Sequence, residues 1–177
     1  MLKPLAHILE PDARFGNLRY HDQGVGHIRE LRIEDLYNDI ASLELVVSVP
    51  LEIRQHFNAA RYAYLYSWFA YDLATVAELQ SYTTLEMALR YKLKLAQPQS
   101  KQSKLTPLLN TAIKYKWLER NEFDVPGVPG SKPLNYFDVV VKQRNKLTHG
   151  ALHLDPQFTL LMMNVCRRMI NALFQKS

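Results

Sequence analysis

With 177 residues, 47% of them hydrophobic, the chain is long enough to bury a core of ordinary size in one domain without covalent staples. Its single cysteine, Cys166, excludes an internal disulfide framework and a cysteine-rich zinc centre, and is expected in the core as a small hydrophobe. The formal net charge of +5 suits an acidic partner; no charge-free run approaches the roughly 20 residues that span a bilayer, and the first residues lack the apolar stretch of an export signal, so a soluble cytoplasmic protein with no membrane attachment is expected.

Pro4, Pro11, Gly16, Gly24 and Gly26 interrupt the first thirty residues, which read as a loop-rich arm over 1–30 that admits a short hairpin. The remainder, 31–177, reads as one helical domain. Ile28, Leu31, Ile33, Leu36, Tyr37, Ile40 and Leu43 recur at helical spacing and predict a first helix from about His27 to Leu45, stopped by Ser48-Val49-Pro50. From Leu51 to Ala96 there is neither glycine nor proline, so this stretch is one very long helix or two joined by a subtle break. Its buried stripe is expected to be Leu65, Trp68, Phe69, Val76, Leu79, Leu85, Leu89 and Leu93, and Pro98 closes it.

A further helix is predicted from Lys104 to Leu118, with Pro107 tolerable in its first turn. Three prolines and two glycines make 119–133 a loop. Helix resumes near Leu134 and stops at Gly150, a residue suited to a left-handed cap; Asp155 and Pro156 then open a last helix carrying Phe158, Leu160, Leu161, Met163, Val165, Met169, Ile170, Leu173 and Phe174. The fold class is therefore all-α, a helical bundle with almost no strand signal and no internal repeat.

Function on such a scaffold must come from a site, and two features stand out. From Met87 through Trp117 there is no acidic residue, while Arg90, Lys92, Lys94, Lys101, Lys104, Lys114 and Lys116 all occur there, interleaved with Tyr91, Tyr115 and Trp117. Phosphates would be drawn to this stretch and unpaired bases could stack on its rings; the alternative is a solvated basic face whose aromatics belong to the core. The second feature is Arg144-Asn145-Lys146-Leu147-Thr148-His149-Gly150, at the end of a predicted helix. Asn145 and His149, four apart, share a helix face, whereas Arg144 lies about 140° from His149 on an unbroken helix. The two meet if the chain turns at Thr148, or across a symmetric dimer.

The run Arg144-Asn145-Lys146-Leu147-Thr148-His149 resembles the Arg-x4-6-His motif of HEPN-domain proteins, the higher eukaryotes and prokaryotes nucleotide-binding family. The segments Ala60–Phe69 and Leu85–Arg90 look like the helix pair that precedes the motif in bacterial members, so the resemblance covers roughly Leu51 to Phe174. It implies a HEPN-like bundle and a metal-independent endoribonuclease, acting as a homodimer with the motif at the subunit interface and serving as a toxin or antiphage defence effector. RNA is then the partner, together with an antitoxin or other regulatory protein, and no cofactor is required. Some members are non-catalytic and often lack the motif's Arg or His; both are present here.

The chemistry also follows from the residues. RNA carries its own nucleophile, so cleavage needs only a proton acceptor for the 2'-OH and a cation for the phosphorane. His149 is the candidate base or acid, Arg144 the phosphate clamp, and Asn145 a group to orient either. Glu86 borders the stripe of Leu89 and Leu93, so it needs a partner, for which Arg144 and Arg90 are candidates; this is a supporting role or a structural ion pair. Asp72 is a weaker candidate of the same kind. A metal site is not expected, although His149 and His153 have ligand spacing. Tyr62, Tyr64, Tyr66 and Tyr71 are expected at an interface rather than under a base.

Overall fold

The first helix, α1, begins later than periodicity predicts, at Ile33, and ends at Ala41. The Asp35 carboxylate accepts the backbone N–H of Arg32 at 2.8 Å, which fixes the start one turn upstream. Ile28–Glu30 (β2) are spent elsewhere, pairing antiparallel with Arg19–His21 (β1). Arg29 forks onto Asp35 at 2.7 and 2.6 Å and lies 4.7 Å over the Tyr20 ring, tying this small ladder to α1. At the other end the Arg61 guanidinium donates to the Ile40 and Ala41 carbonyls, so the chain to Leu45 leaves the helix early.

This computed structural model describes residues 2–21, 28–101, 104–125, 134–150 and 155–175. Among them are six α-helices and two small two-stranded sheets, in keeping with an all-α bundle. None of the described helices is long and apolar enough to cross a membrane.

The stretch without glycine or proline is two helices, α2 (Leu51–Tyr66) and α3 (Leu73–Ala96). The arm supplies the break between them. Asp12 donates its N–H to the Trp68 carbonyl at 2.7 Å and accepts the Tyr71 N–H at 3.1 Å, while Arg14 bridges Asp12 and Asp72. Phe15, 2% exposed, packs against the rings of Trp68 and Tyr71 at 5.3 and 4.9 Å. A segment whose role is illegible in composition is thus the clamp on the α2–α3 corner.

That clamp predicts an acid response. The hydrogen bond from Arg14 holds the Asp12 carboxyl well below the usual carboxylate range, and the one from Arg29 lowers Asp35. A depressed folded-state pKa gives stability that is complete above the unfolded value, about 3.9, and is lost as pH falls below it. The urea midpoint, read by tryptophan fluorescence, should therefore fall progressively as pH drops below about 4. In Arg14→Ala that fall should be smaller.

The centre of the bundle is α3, packed against α2, α6 (Pro156–Gln175), α4 (Leu105–Lys114) and α5 (Tyr136–Thr148). It runs beside α6 in the same direction. Thr159 donates to Glu78 near the start of both, and Tyr91 meets Phe174 near their ends. Glu78 is fully buried, and a second hydroxyl, that of Tyr82, donates to it at 2.7 Å. Cys166 is buried as expected, and burial pushes its thiol pKa up. Leu85, Leu89 and Leu93 are core, but Val76 is 51% exposed because Ala74, Ala77 and Glu78 face inward at that level; Leu161 on α6 is likewise exposed.

Helix α4 stops at Lys114, four residues short of the predicted end. The Lys116 and Trp117 N–H groups return to the Ile113 and Ala112 carbonyls at 2.9 Å each, a Schellman cap whose left-handed position is Lys116, φ 56°. A side chain there costs about 1 kcal/mol, so Lys116→Gly should raise the unfolding free energy by about 0.5–1 kcal/mol while Lys116→Ala does not. Urea melts distinguish the two.

Within 119–133, a 3-10 turn at Arg120–Phe123 leads into Asp124–Val125 (β3), paired with Leu134–Asn135 (β4); 126–133 lie outside the described residues. Leu134 is therefore strand, and α5 starts where Asn135 Oδ1 accepts the Phe137 N–H at 2.9 Å. Gly150, φ 86°, takes the left-handed position after it, and Asp155 caps α6 through the Gln157 N–H, both as predicted.

Candidate functional site

The motif closes α5. The His149 N–H returns to the Asn145 and Lys146 carbonyls at 3.2 and 3.1 Å, and the Gly150 N–H to that of Leu147 at 3.0 Å. Thr148 Oγ1 donates to the Arg144 and Asn145 carbonyls at 3.1 and 2.9 Å, tightening the same turn. The helix thus does not fray at Thr148: His149 is its C-terminal cap (φ −94°, ψ 13°) and its side chain is exposed. Among the described residues no hydrogen bond joins the imidazole to Arg144 or to any other side chain.

Arg144 points the other way, into α3. Its Nε donates to Glu86 Oε1 at 2.7 Å, and Nη1 makes a long contact of 3.4 Å with Asn145 Oδ1. Glu86 is only 5% exposed, and its second oxygen takes Arg90 Nη2 at 2.8 Å. Both candidate partners of Glu86 are therefore engaged at once, and a buried carboxylate is offset by two guanidinium groups that each keep a solvated side. With Nε spent on Glu86, the remaining N–H groups of Arg144 have a fixed origin. Charge-assisted bonds of this length hold a planar fork in one orientation, as a phosphate clamp requires.

The structure brings Arg144, Asn145, Glu86 and Arg90 together and sets His149 one turn away on the surface. It separates the others. Asp72 is an exposed residue at the start of α3, bound to Arg14, far along that helix from Glu86. Lys92 leans over Phe174 at 5.5 Å, while Lys94, Lys101, Lys104, Lys114 and Lys116 are exposed along the end of α3 and around α4. The tyrosines divide: Tyr64 and Tyr71 are core, whereas Tyr62 and Tyr66 are exposed and stack at 6.4 Å. His153 lies outside the described residues, and among those described no group of three or more potential ligands is arranged for a metal.

Two further cations lie outside the acid-free stretch and the motif. Arg168 lies 5.2 Å over Phe123 and donates to the Glu122 carbonyl, and Arg167 is held by Asn164; both line a surface groove on α6. Their adjacency in an otherwise apolar helix was the available signal. No protein-family model matches this chain, and neither a curated protein nor a solved structure matches it.

Proposed function

We propose that this protein is a metal-independent endoribonuclease of the HEPN type, in which Arg144 clamps the scissile phosphate and His149 carries the proton. The observation that supports it most is the fixing of Arg144 on buried Glu86, one turn from an exposed histidine at the same helix end. In the reaction the 2'-oxygen attacks phosphorus and the bond to the 5'-oxygen breaks. One His149 takes the 2'-OH proton and a second, from the partner protomer of a homodimer, protonates the leaving 5'-oxygen. The products are a 2',3'-cyclic phosphate and a 5'-hydroxyl. Asn145, in contact with Arg144, orients the phosphate rather than the imidazole.

The lysines from Lys92 to Lys116 supply the attraction for RNA. An enzyme of this kind acts in the cytoplasm as a toxin or antiphage effector and is restrained by an antitoxin or another regulatory protein. Purified protein in EDTA should cut single-stranded RNA and leave cyclic phosphate ends. Strict dependence on magnesium, or an absence of cleavage by the dimer, sinks the reading. The second reading, a non-catalytic module that binds nucleotide, nucleic acid or protein, is favoured by the same ion pair, because Arg144 on a buried carboxylate also suffices to hold α5 against α3. RNA retention without cleavage selects it.

A further inference from the structure

One face of α3 links the Arg144 anchor to an aromatic ledge. Gln97, which caps α3, stands eleven residues beyond Glu86, within about 20° around the helix axis and about 16 Å along it. Arg90 lies between them on that side. At one end Glu86 holds Arg144, and at the other the Gln97 side-chain amide donates to the Tyr115 hydroxyl.

Tyr115 in turn stacks on Trp117, with ring centroids 5.0 Å apart and planes 20° from parallel. Residues two apart do not face each other on a helix. Here the left-handed Lys116 between them turns the chain so that the two rings align. A non-glycine residue held in that conformation is strain, and strain of this kind gathers where a surface is used. Tyr115 remains 40% exposed, Lys114 and Lys116 on either side are exposed, and no acidic residue occurs from Met87 through Trp117.

A ring backed on one side, open on the other and flanked by amines meets the requirements of an unpaired base with its phosphates. We propose that Tyr115 is a stacking site for one unpaired base of single-stranded RNA, with Lys114 and Lys116 on the adjoining phosphates and Trp117 behind the ring. The assignment rests on the RNA reading above and deepens it. Glu86 and Gln97, the α3 residues that hold Arg144 and Tyr115, are about 16 Å apart along the helix axis, a span of several nucleotides of stacked strand. A duplex keeps its base faces in its own stack and gains nothing from the ledge.

Trp117 is one of two tryptophans, so Trp68→Phe leaves it as the only indole reporter. In a Trp68→Phe, His149→Ala background, full-length dimeric or monomeric protein is titrated with a ten-nucleotide oligouridine and with a ten-base-pair RNA duplex. The single strand should quench Trp117 and the duplex should not. Tyr115→Ala should weaken binding of the single strand about tenfold, and Tyr115→Phe, which keeps the ring, should stay within about twofold. Equal quenching by duplex and single strand, unchanged affinity in Tyr115→Ala, or an equal loss in Tyr115→Phe each overturns the assignment. Because His149 is absent throughout, failure of the nuclease reading registers separately, as parent protein that binds the oligonucleotide and does not cut it.

Discussion

His149→Ala should cut RNA at least about 100-fold more slowly than the parent while melting at the same temperature, since proton transfer by a positioned side chain contributes roughly 10² to 10⁴. The two halves of that expectation have different sources. The imidazole is solvent-exposed at the end of α5 and makes no side-chain hydrogen bond among the described residues, so its removal leaves no cavity and no orphaned polar group. Surface changes of that sort shift stability by about 0.5 kcal/mol or less. Cleavage assays paired with thermal melts therefore separate chemistry from folding at this position. A variant that cuts as fast as the parent removes the imidazole from the reaction. One that loses several degrees of melting temperature reveals a structural role for an imidazole that has no side-chain partner among the described residues.

Much of the bundle was legible because its helices carry local signals. Pro50, Pro98, Gly150 and the Asp155-Pro156 pair mark boundaries that the structure keeps, since caps and breakers act within one turn of the residue that makes them. The errors fall where a boundary is set by a distant partner. Nothing in Ser67–Asp72 breaks a helix by composition; the break needs Asp12 and Phe15 from the arm. Nor does Lys116 look like a left-handed residue, and periodicity alone extends α4 to Leu118 for that reason. The start of α1 differs from the periodicity because Ile28–Glu30 alternate as easily in a strand as in a helix.

The same division holds at the candidate site. Glu86 and its two possible partners were readable, because a carboxylate beside a leucine stripe must find a cation. That both arginines serve it together was not, since Arg144 lies 58 positions away and its direction depends on how α5 packs on α3. Helical phase alone placed Arg144 and His149 on different faces, and the structure keeps them so within one protomer. A dimer that brings two motifs together is thereby the arrangement the proposed chemistry needs.

Removing both arginines from Glu86 should destabilise the protein by more than the two single changes together. In Arg90→Ala or Arg144→Ala the carboxylate keeps one charged partner, and each loss is expected at about 1 kcal/mol, discounted because the guanidinium sides of both pairs reach solvent. In the double variant a carboxylate that is 5% exposed has neither partner, and an uncompensated buried charge costs about 3–5 kcal/mol. The surplus over additivity is thus about 1–3 kcal/mol, measurable by urea denaturation of the four proteins of the cycle. Adding Glu86→Met to the double variant should recover most of the loss, because an apolar side chain of similar length fills the space without a charge to solvate. Strict additivity would mean that Glu86 is rehydrated as soon as one arginine leaves, and Arg144 would then have no fixed anchor from which to hold a phosphate.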